Sequence, residues 1–258
     1  MYPFCIPNVA LLPCKCSPFA LQKGYFCIVK GLLLFSNANT TANQPLKINN
    51  KKVKPSIPEQ TMNKIKTGIY GGSFNPIHNG HIAIARKMIE LAGLDEVWLM
   101  VSPQNPLKHS ADLLDEQLRL DMTRMALQPY PQLKACDYEF HLPRPSYMWH
   151  TLQSLTHDFP EREFTLLIGA DNWAVFDRWY HADDIIAHYP IAIYPRTGYP
   201  IDTDKLPQTV KIFDTGLYDV SSTLVRQYIN EGKDITQLIP SEITALAQQY
   251  YNGGAKVK

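Results

Sequence analysis

The chain has 258 residues, 45% of them apolar, enough to bury one large core or two small ones. A formal net charge of +1 excludes a protein whose main work is coating nucleic acid or an anionic membrane. That average conceals a break: residues 1–61 hold seven lysines, no arginine and one acid, Glu59, for a charge of +6, whereas residues 62–258 carry −5.

The first segment opens without the basic start or the small-residue cleavage site of a signal peptide. Its apolar run "FCIVKGLLLF" is broken by Lys30 and Gly31 and falls short of the roughly 20 residues that span a bilayer. From Ser36 to Thr61 the composition is rich in Asn, Thr, Lys and Pro with neither helical nor strand period, so disorder is expected there. Four of the five cysteines (Cys5, Cys14, Cys16, Cys27) lie in this segment, and Cys14-x-Cys16 lacks the gap of a zinc pair, so free thiols are expected. Cys136 alone remains for the rest of the chain, which suits a reducing compartment and a cytoplasmic location. Ordered patterning starts directly after Met62. Residues 1–61 are therefore read as an N-terminal extension ahead of the true start, and residues 62–258 as one domain.

From Lys66 the pattern alternates. "TGIYG" is a short apolar strand, and a loop over 72–79 leads to "HIAIARKMIELAG", where Ile82, Ala85, Ile89 and Ala92 recur at helical spacing and Gly93 is a natural stop. "EVWLMVS" (96–102) is a continuous apolar run of the length of a buried strand. The Pro-rich loop "PQNPLKHSAD" precedes a helix expected from Leu114 to Gln128, then a strand "LKACDYEF" (133–140), a helix from Tyr147 to His157, and a buried strand "EFTLLIG" (163–169). "PIAIYP" and "TVKIF" continue the strands, and two helices close the chain from about Ser222 and about Ser241. Strands alternating with helices predict an α/β fold: a doubly wound, Rossmann-like parallel sheet with helices on both faces.

Ligands of such a sheet bind beyond the carboxyl ends of its strands. The polar clusters "GGSFNPIHNGH", "SPQNPLK" and "GADNW" all fall there. The first is a glycine-rich turn opening a helix, a ready anion site that is neither a Walker A loop nor a Gly-x-Gly-x-x-Gly fingerprint. It carries His78 and His81, which can donate hydrogen bonds to phosphate oxygens and, when protonated, add positive charge; Gly80 between them would let a ligand approach closely. In "DVSSTLVRQYI" (219–229), Ser221 or Ser222 stands where an N-cap belongs and Arg226 follows about one turn later, a second phosphate clamp.

Together "GGSFNPIHNGH" and "VSSTLVR" resemble the signatures of the nucleotidylyltransferase superfamily. With "SPQNPLK", "RLDMTRMAL", "DYEFHLPRPSY", "IGADNW" and "RWY" in order, the chain from about Thr67 to about Asn252 is similar to the bacterial nicotinate-nucleotide adenylyltransferases. The resemblance implies that ATP and nicotinate mononucleotide are joined into deamido-NAD and pyrophosphate by direct in-line attack, with no covalent enzyme intermediate. It implies His78, His81 and Arg226 as catalytic contacts to the ATP phosphates. Gly72, Ser73, Phe74, Gly169, Asp171, Ser222 and Thr223 would complete the ATP site, and Asn75, Lys108, Thr151, Trp179 and Tyr180 would hold the mononucleotide, with Trp179 stacking on the pyridine ring. Mg²⁺ would arrive on the triphosphate, held by phosphate and water, with no metal site built from protein side chains. The partners implied are ATP and nicotinate mononucleotide, without nucleic acid or membrane; a homo-oligomer stays open.

One position departs from the family's pattern. Where Ser-Tyr-Thr-x-x-Thr-Leu is usual, this chain reads "SYMWHTL", with Met148 in place of the first threonine, so Thr151 or backbone groups would have to supply its contact to the nicotinate end. Related readings are an adenylyltransferase for nicotinamide mononucleotide or phosphopantetheine, a cytidylyltransferase, a class I aminoacyl-tRNA synthetase, and a non-catalytic nucleotide-binding module. The short chain and its net-negative main domain count against the synthetase.

Overall fold

The computed structural model describes residues 63–103 and 113–252. The N-terminal segment read as an extension, and Lys108 with most of its loop, lie outside the described residues. In chain order the elements are β1 (Ile65–Gly72), α1 (Asn79–Ala92), β2 (Glu96–Val101), α2 (Glu116–Leu127), β3 (Leu133–Cys136), α3 (Met148–Asp158) and β4 (Arg162–Gly169). A short α4 (Ala170–Trp173), α5 (Ala182–His188), β5 (Ile191–Tyr194), β6 (Val210–Ile212), α6 (Ser222–Asn230) and α7 (Thr244–Tyr251) follow.

All six strands are parallel, in the order β3-β2-β1-β4-β5-β6. Strand residues alternate between two apolar layers. Ile69, Trp98, Met100, Leu166, Ile168, Ile191 and Ile193 pack with Leu152 and Leu155 of α3 and Ile185 of α5. Tyr70, Val97, Leu99, Leu167, Ala192 and Tyr194 pack on the opposite side with Ile82, Ala85 and Met88 of α1, Leu120 of α2, Val225 of α6 and Ala247 of α7. Because both faces are covered, β2 is buried at all six positions, which is why its sequence is an unbroken apolar run. The doubly wound arrangement expected from the sequence is thus present.

At the amino ends of the strands, Glu96 ties four of them together. It accepts from Thr67 of β1, from Trp98 within β2, from Lys134 of β3 and from Arg162 of β4. Burial pushes its carboxyl up, but the Lys134 hydrogen bond and the Arg162 charge outweigh this and hold it below the usual range. The carboxyl ends are left for chemistry. Strand order reverses between β1 and β4, which opens a crevice at their carboxyl ends.

The strand expected over 133–140 is the main correction. Only Leu133–Cys136 pairs with β2; β3 is an edge strand, and after it the chain turns into a single 3₁₀ turn, Tyr138–His141, that carries the Glu139 side chain inward. The last helix also starts later than expected, because Ser241–Ile243 forms a 3₁₀ turn ahead of α7. Among the described residues no helix is long and apolar enough to cross a membrane.

Candidate active site

The loop from β1 to α1 is shaped by its own aromatic residue. Phe74 takes a left-handed backbone (φ 44°), is 1% exposed, and meets Tyr70 and His81 edge-on at 5.8 and 5.0 Å. Its ring lies 2.9 Å from where a Cβ on Gly72 would stand, so the glycine makes room for the aromatic side chain. Phe74 therefore supports the loop from inside, whereas Gly72 and Ser73 are partly exposed. Gly80 was expected to admit a ligand. The structure corrects this: a Cβ there would meet Val220 Cγ1 at 2.7 Å, so the close approach is that of the chain segment leading into α6.

His78 and His81 cap α1 reciprocally. Nδ1 of His78 accepts from the His81 backbone N–H, and Nδ1 of His81 accepts from the His78 backbone N–H, at 3.3 and 3.2 Å. The rings stack at 3.5 Å. With Nδ1 engaged as an acceptor, a neutral ring carries its proton on Nε2, so each imidazole is set in one tautomer. His78 is 3% exposed, and burial together with the Arg196 guanidinium pushes it down to about 3. It is neutral at physiological pH, and of the two roles expected for it, hydrogen-bond donor and cation, only the first remains.

This has a measurable consequence. The unfolded chain binds the His78 proton near pH 6.5 and the folded chain only near 3, so stability falls as pH drops through that window. His78→Asn, which can still cap the helix, should flatten the loss of urea-unfolding free energy between pH 6 and 4.5 by up to about 1.4 kcal/mol per pH unit. An unchanged slope would mean that His78 titrates normally.

The start of α6 is fastened to the same loop. Ser221 is the N-cap, accepting from Leu224 N at 3.1 Å. Ser222 Oγ donates to Pro76 O at 2.8 Å, and Arg226 Nη1 donates to Asn75 O at 2.8 Å. Arg226 Nη2 also lies 3.4 Å from Thr223 Oγ1, with Thr223 exposed at the helix mouth. The two clusters are therefore brought together around one crevice. Asn75 is placed differently from the expectation of a ligand contact: it is 4% exposed, and its Oδ1 accepts from Leu114 N and Tyr251 Oη.

Across the crevice, Gly169 ends β4 and is the N-cap of α4, and Asp171 Oδ1 folds back into the space that a Cβ on Gly169 would need. The Arg196 guanidinium stands 3.7 Å from that oxygen. Burial works against the Arg196 charge, but Tyr194, Tyr70 and Asp171 outweigh it and raise its pKa. Asp171 and Arg196 line a cavity of about 400 Å³ with Tyr199, Leu217, Tyr218 and Ser221, within the size range of nucleotide-scale pockets. Asp171 Oδ1, Arg196 Nε and, nearby in sequence, Trp179 Nε1 are buried polar atoms without hydrogen-bond partners among the described residues. Arg162 Nε, at the amino ends of the strands, is a fourth such atom, so the feature alone does not define a ligand site; beside the cavity a water, an ion or a ligand group can serve these atoms. Arg196 was missed in the sequence; a lone arginine after a strand carries no motif, and only its position at the carboxyl end of β5 could have singled it out.

Trp179 packs on Phe176 at 5.0 Å, and Tyr180 is 45% exposed with its ring 4.9 Å from Tyr147 and 5.2 Å from His150. Tyr147, which had no assigned role, faces Tyr180, and with His150 these rings form one aromatic wall. Thr151 is placed differently from the expectation of a ligand contact. It is 0% exposed and its hydroxyl is committed to Glu139 Oε1 and Tyr147 O, so it does not replace the hydroxyl absent at Met148. Met148 itself reaches over the end of β1, its Cε 3.1 Å from the Cβ position of Gly71.

Comparison with known proteins agrees with this arrangement. A family profile described as cytidylyltransferase-like matches residues 69–228. A Bacteroides fragilis protein named "Probable nicotinate-nucleotide adenylyltransferase" is 48% identical over 189 residues, covering 73% of this chain and 94% of its own. One of the same name from Flavobacterium johnsoniae is 40% identical, covering 69% and 94%. The solved structure of Plasmodium falciparum nicotinic acid mononucleotide adenylyltransferase complexed with NaAD superimposes with a TM-score of 0.59 at 20% identity, covering 72% of this chain and 93% of its own, a likeness of fold. With the profile spanning more than half of the chain and the bacterial relatives matched over nearly their full length, the chain belongs to the nicotinate-nucleotide adenylyltransferase family of nucleotidyltransferases.

Proposed function

We propose that the chain transfers the adenylyl group of ATP to the 5′-phosphate of nicotinate mononucleotide, releasing pyrophosphate and deamido-NAD, by in-line attack without a covalent enzyme intermediate. The observation that carries this reading is the fastening of α6 to the β1–α1 loop through Ser222 and Arg226, which sets two stacked imidazoles, a guanidinium and two helix starts around one crevice beside a nucleoside-sized cavity. Such a site holds anions in line and neutralises developing charge, which is what phosphoryl transfer needs. His81 takes the transferring phosphate, with neutral His78 as a second donor. Ser222, Thr223 and Arg226 take the β- and γ-phosphates, and Gly72 and Ser73 offer backbone to the triphosphate. Gly169 and Asp171 meet the adenosine, Lys108 the mononucleotide phosphate, and Trp179 and Tyr180 the pyridine ring. Mg²⁺ enters as the ion carried by ATP, held by phosphate and water. Residues 62–258 are the catalytic domain and residues 1–61 a dispensable extension, in a cytoplasmic enzyme that needs neither nucleic acid nor membrane.

One observation favours a second acceptor, nicotinamide mononucleotide. Met148 brings no hydroxyl to the nicotinate end and Thr151 is occupied elsewhere, so discrimination between acid and amide falls to backbone N–H groups and ring stacking. The test follows pyrophosphate release by the full chain and by residues 62–258, with Mg-ATP and nicotinate mononucleotide, nicotinamide mononucleotide or phosphopantetheine. We expect kcat/KM for the acid to exceed that for the amide by about tenfold or more in both proteins. Equal or better use of the amide would overturn the substrate assignment, and activity of the full chain alone would overturn the dispensable extension.

A further inference from the structure

Besides Glu96, which ties the amino ends of the strands, one other buried acid has no part in the reaction as proposed. Glu139 is 4% exposed and, among the described residues, has no basic side chain in ion-pair contact. Its partners are hydroxyls: Thr151 donates to Oε1 at 3.0 Å, Ser146 to Oε2 at 3.2 Å, and the Ser102 side chain bonds to it as well. Burial raises its pKa against the pull of these three bonds. A buried acid with no cation beside it is a poor way to gain stability, since an apolar side chain would fill the same space without desolvation cost.

The three hydroxyls come from three separate segments. Ser102 is at the exit of β2, where its N–H also donates to Gly72 O at 2.9 Å and so joins the end of β1. Ser146 ends the turn before α3, and Thr151 lies in the first turns of that helix. The Thr151 hydroxyl is shared with Tyr147 O at 3.3 Å, so the carboxylate is one bond removed from the backbone that carries Tyr147. Tyr147 in turn faces Tyr180. No side chain caps the start of α3, so nothing else of that kind sets its entry angle.

We infer that Glu139 is a positioning residue for the mononucleotide: through Ser146, Thr151 and Ser102 it fixes the start of α3 against the exit of β2, and so holds Tyr147 opposite Tyr180. The inference rests on the proposal that this wall receives the mononucleotide. It assigns Glu139 no contact with substrate, and it makes mononucleotide affinity, not ATP affinity, depend on a group outside the pocket.

The experiment measures kcat and both KM values for Glu139→Ala and Glu139→Gln, with calorimetric binding of each nucleotide alone. Glu139→Ala should raise KM for the mononucleotide about tenfold, the loss of roughly one well-made hydrogen-bonded support, and leave KM for ATP within about twofold. Glu139→Gln, an uncharged isostere that can bond the same hydroxyls, should bring the mononucleotide KM back to within about threefold of the parent. Should the alanine variant fail to fold, Ser146→Ala, which removes a single hydrogen bond, should still raise the mononucleotide KM selectively. Parallel rises in both KM values, a loss of kcat alone, or unchanged kinetics would overturn the inference. The parent protein is assayed with acid and amide mononucleotides first. If the amide is the acceptor, the substrate assignment fails while the split between acceptor and ATP still decides the part played by Glu139.

Discussion

His81→Ala is expected to lower kcat by about 100-fold or more while changing KM for ATP by no more than about threefold. The His81 ring is held from three directions. Its Nδ1 accepts the His78 backbone N–H, its face stacks on His78 at 3.5 Å, and Phe74 meets it edge-on at 5.0 Å. The ring nitrogen that the cap does not use is Nε2, at the mouth of α1 where the helix dipole adds positive potential. A donor so prepared costs no reorganisation when negative charge builds on the transferring phosphate, which is the condition for a contact worth more in the transition state than in the ground state. The alanine variant also loses half of the reciprocal cap, so a stability loss of about 1 kcal/mol is expected beside the kinetic one. Steady-state kinetics at saturating ATP, with a urea titration as control, separate the two effects. A rise in KM with kcat intact would make His81 a binding group and no more.

How far the sequence could be read depended on what each side chain faces. Parallel strands covered on both sides must be apolar throughout, so "EVWLMV" and "EFTLLIG" were legible as runs, and the helices between them were legible from their period. The segment after Cys136 reads in sequence as a continuation of the strand; in the structure Glu139 turns inward within a 3₁₀ turn, and nothing local announces a carboxylate that pairs with hydroxyls from distant segments. The same limit applied within the motifs. The glycine-histidine turn and the start of α6 were rightly expected near one another, since strand ends converge by topology. Which motif side chains point at the ligand and which hold the loop is set by tertiary contacts. Asn75 and Thr151 proved to be tied to protein, and Gly80 to make room for Val220.

Arg119 is the clearest case of a residue illegible in sequence, and removing it should have the largest effect on stability. On an expected helix, "EQLRLDMTRMAL", an arginine reads as part of the solvated face. In the structure it is 1% exposed and donates to four backbone carbonyls: Ser73 at 2.6 Å, Ser102 at 2.8 Å, Pro103 at 3.0 Å and Leu114 at 2.8 Å. One planar fork thus joins the exits of β1 and β2 to the start of α2, a pattern no other side chain can supply. Burial lowers its pKa, with Tyr251, Glu116 and Asp115 acting in the opposite direction. Arg119→Ala leaves four carbonyls to find partners, three of which, on Ser73, Ser102 and Leu114, belong to partly exposed residues that water can reach. The expected cost is therefore about 3–5 kcal/mol of unfolding free energy, not the sum of four full penalties. Arg119→Lys keeps a charge but not the fork, and should recover less than about half of it. Because Ser73 and Ser102 stand at the base of the proposed substrate loops, displacement there by about 1 Å should also reduce kcat/KM by about 100-fold for whatever fraction stays folded. Urea midpoints read with the kinetics of the folded fraction decide the matter. A loss under about 1 kcal/mol with normal turnover would show that water serves these carbonyls as well as the guanidinium does, and that the loops are ordered by the histidine cap and by α6 alone.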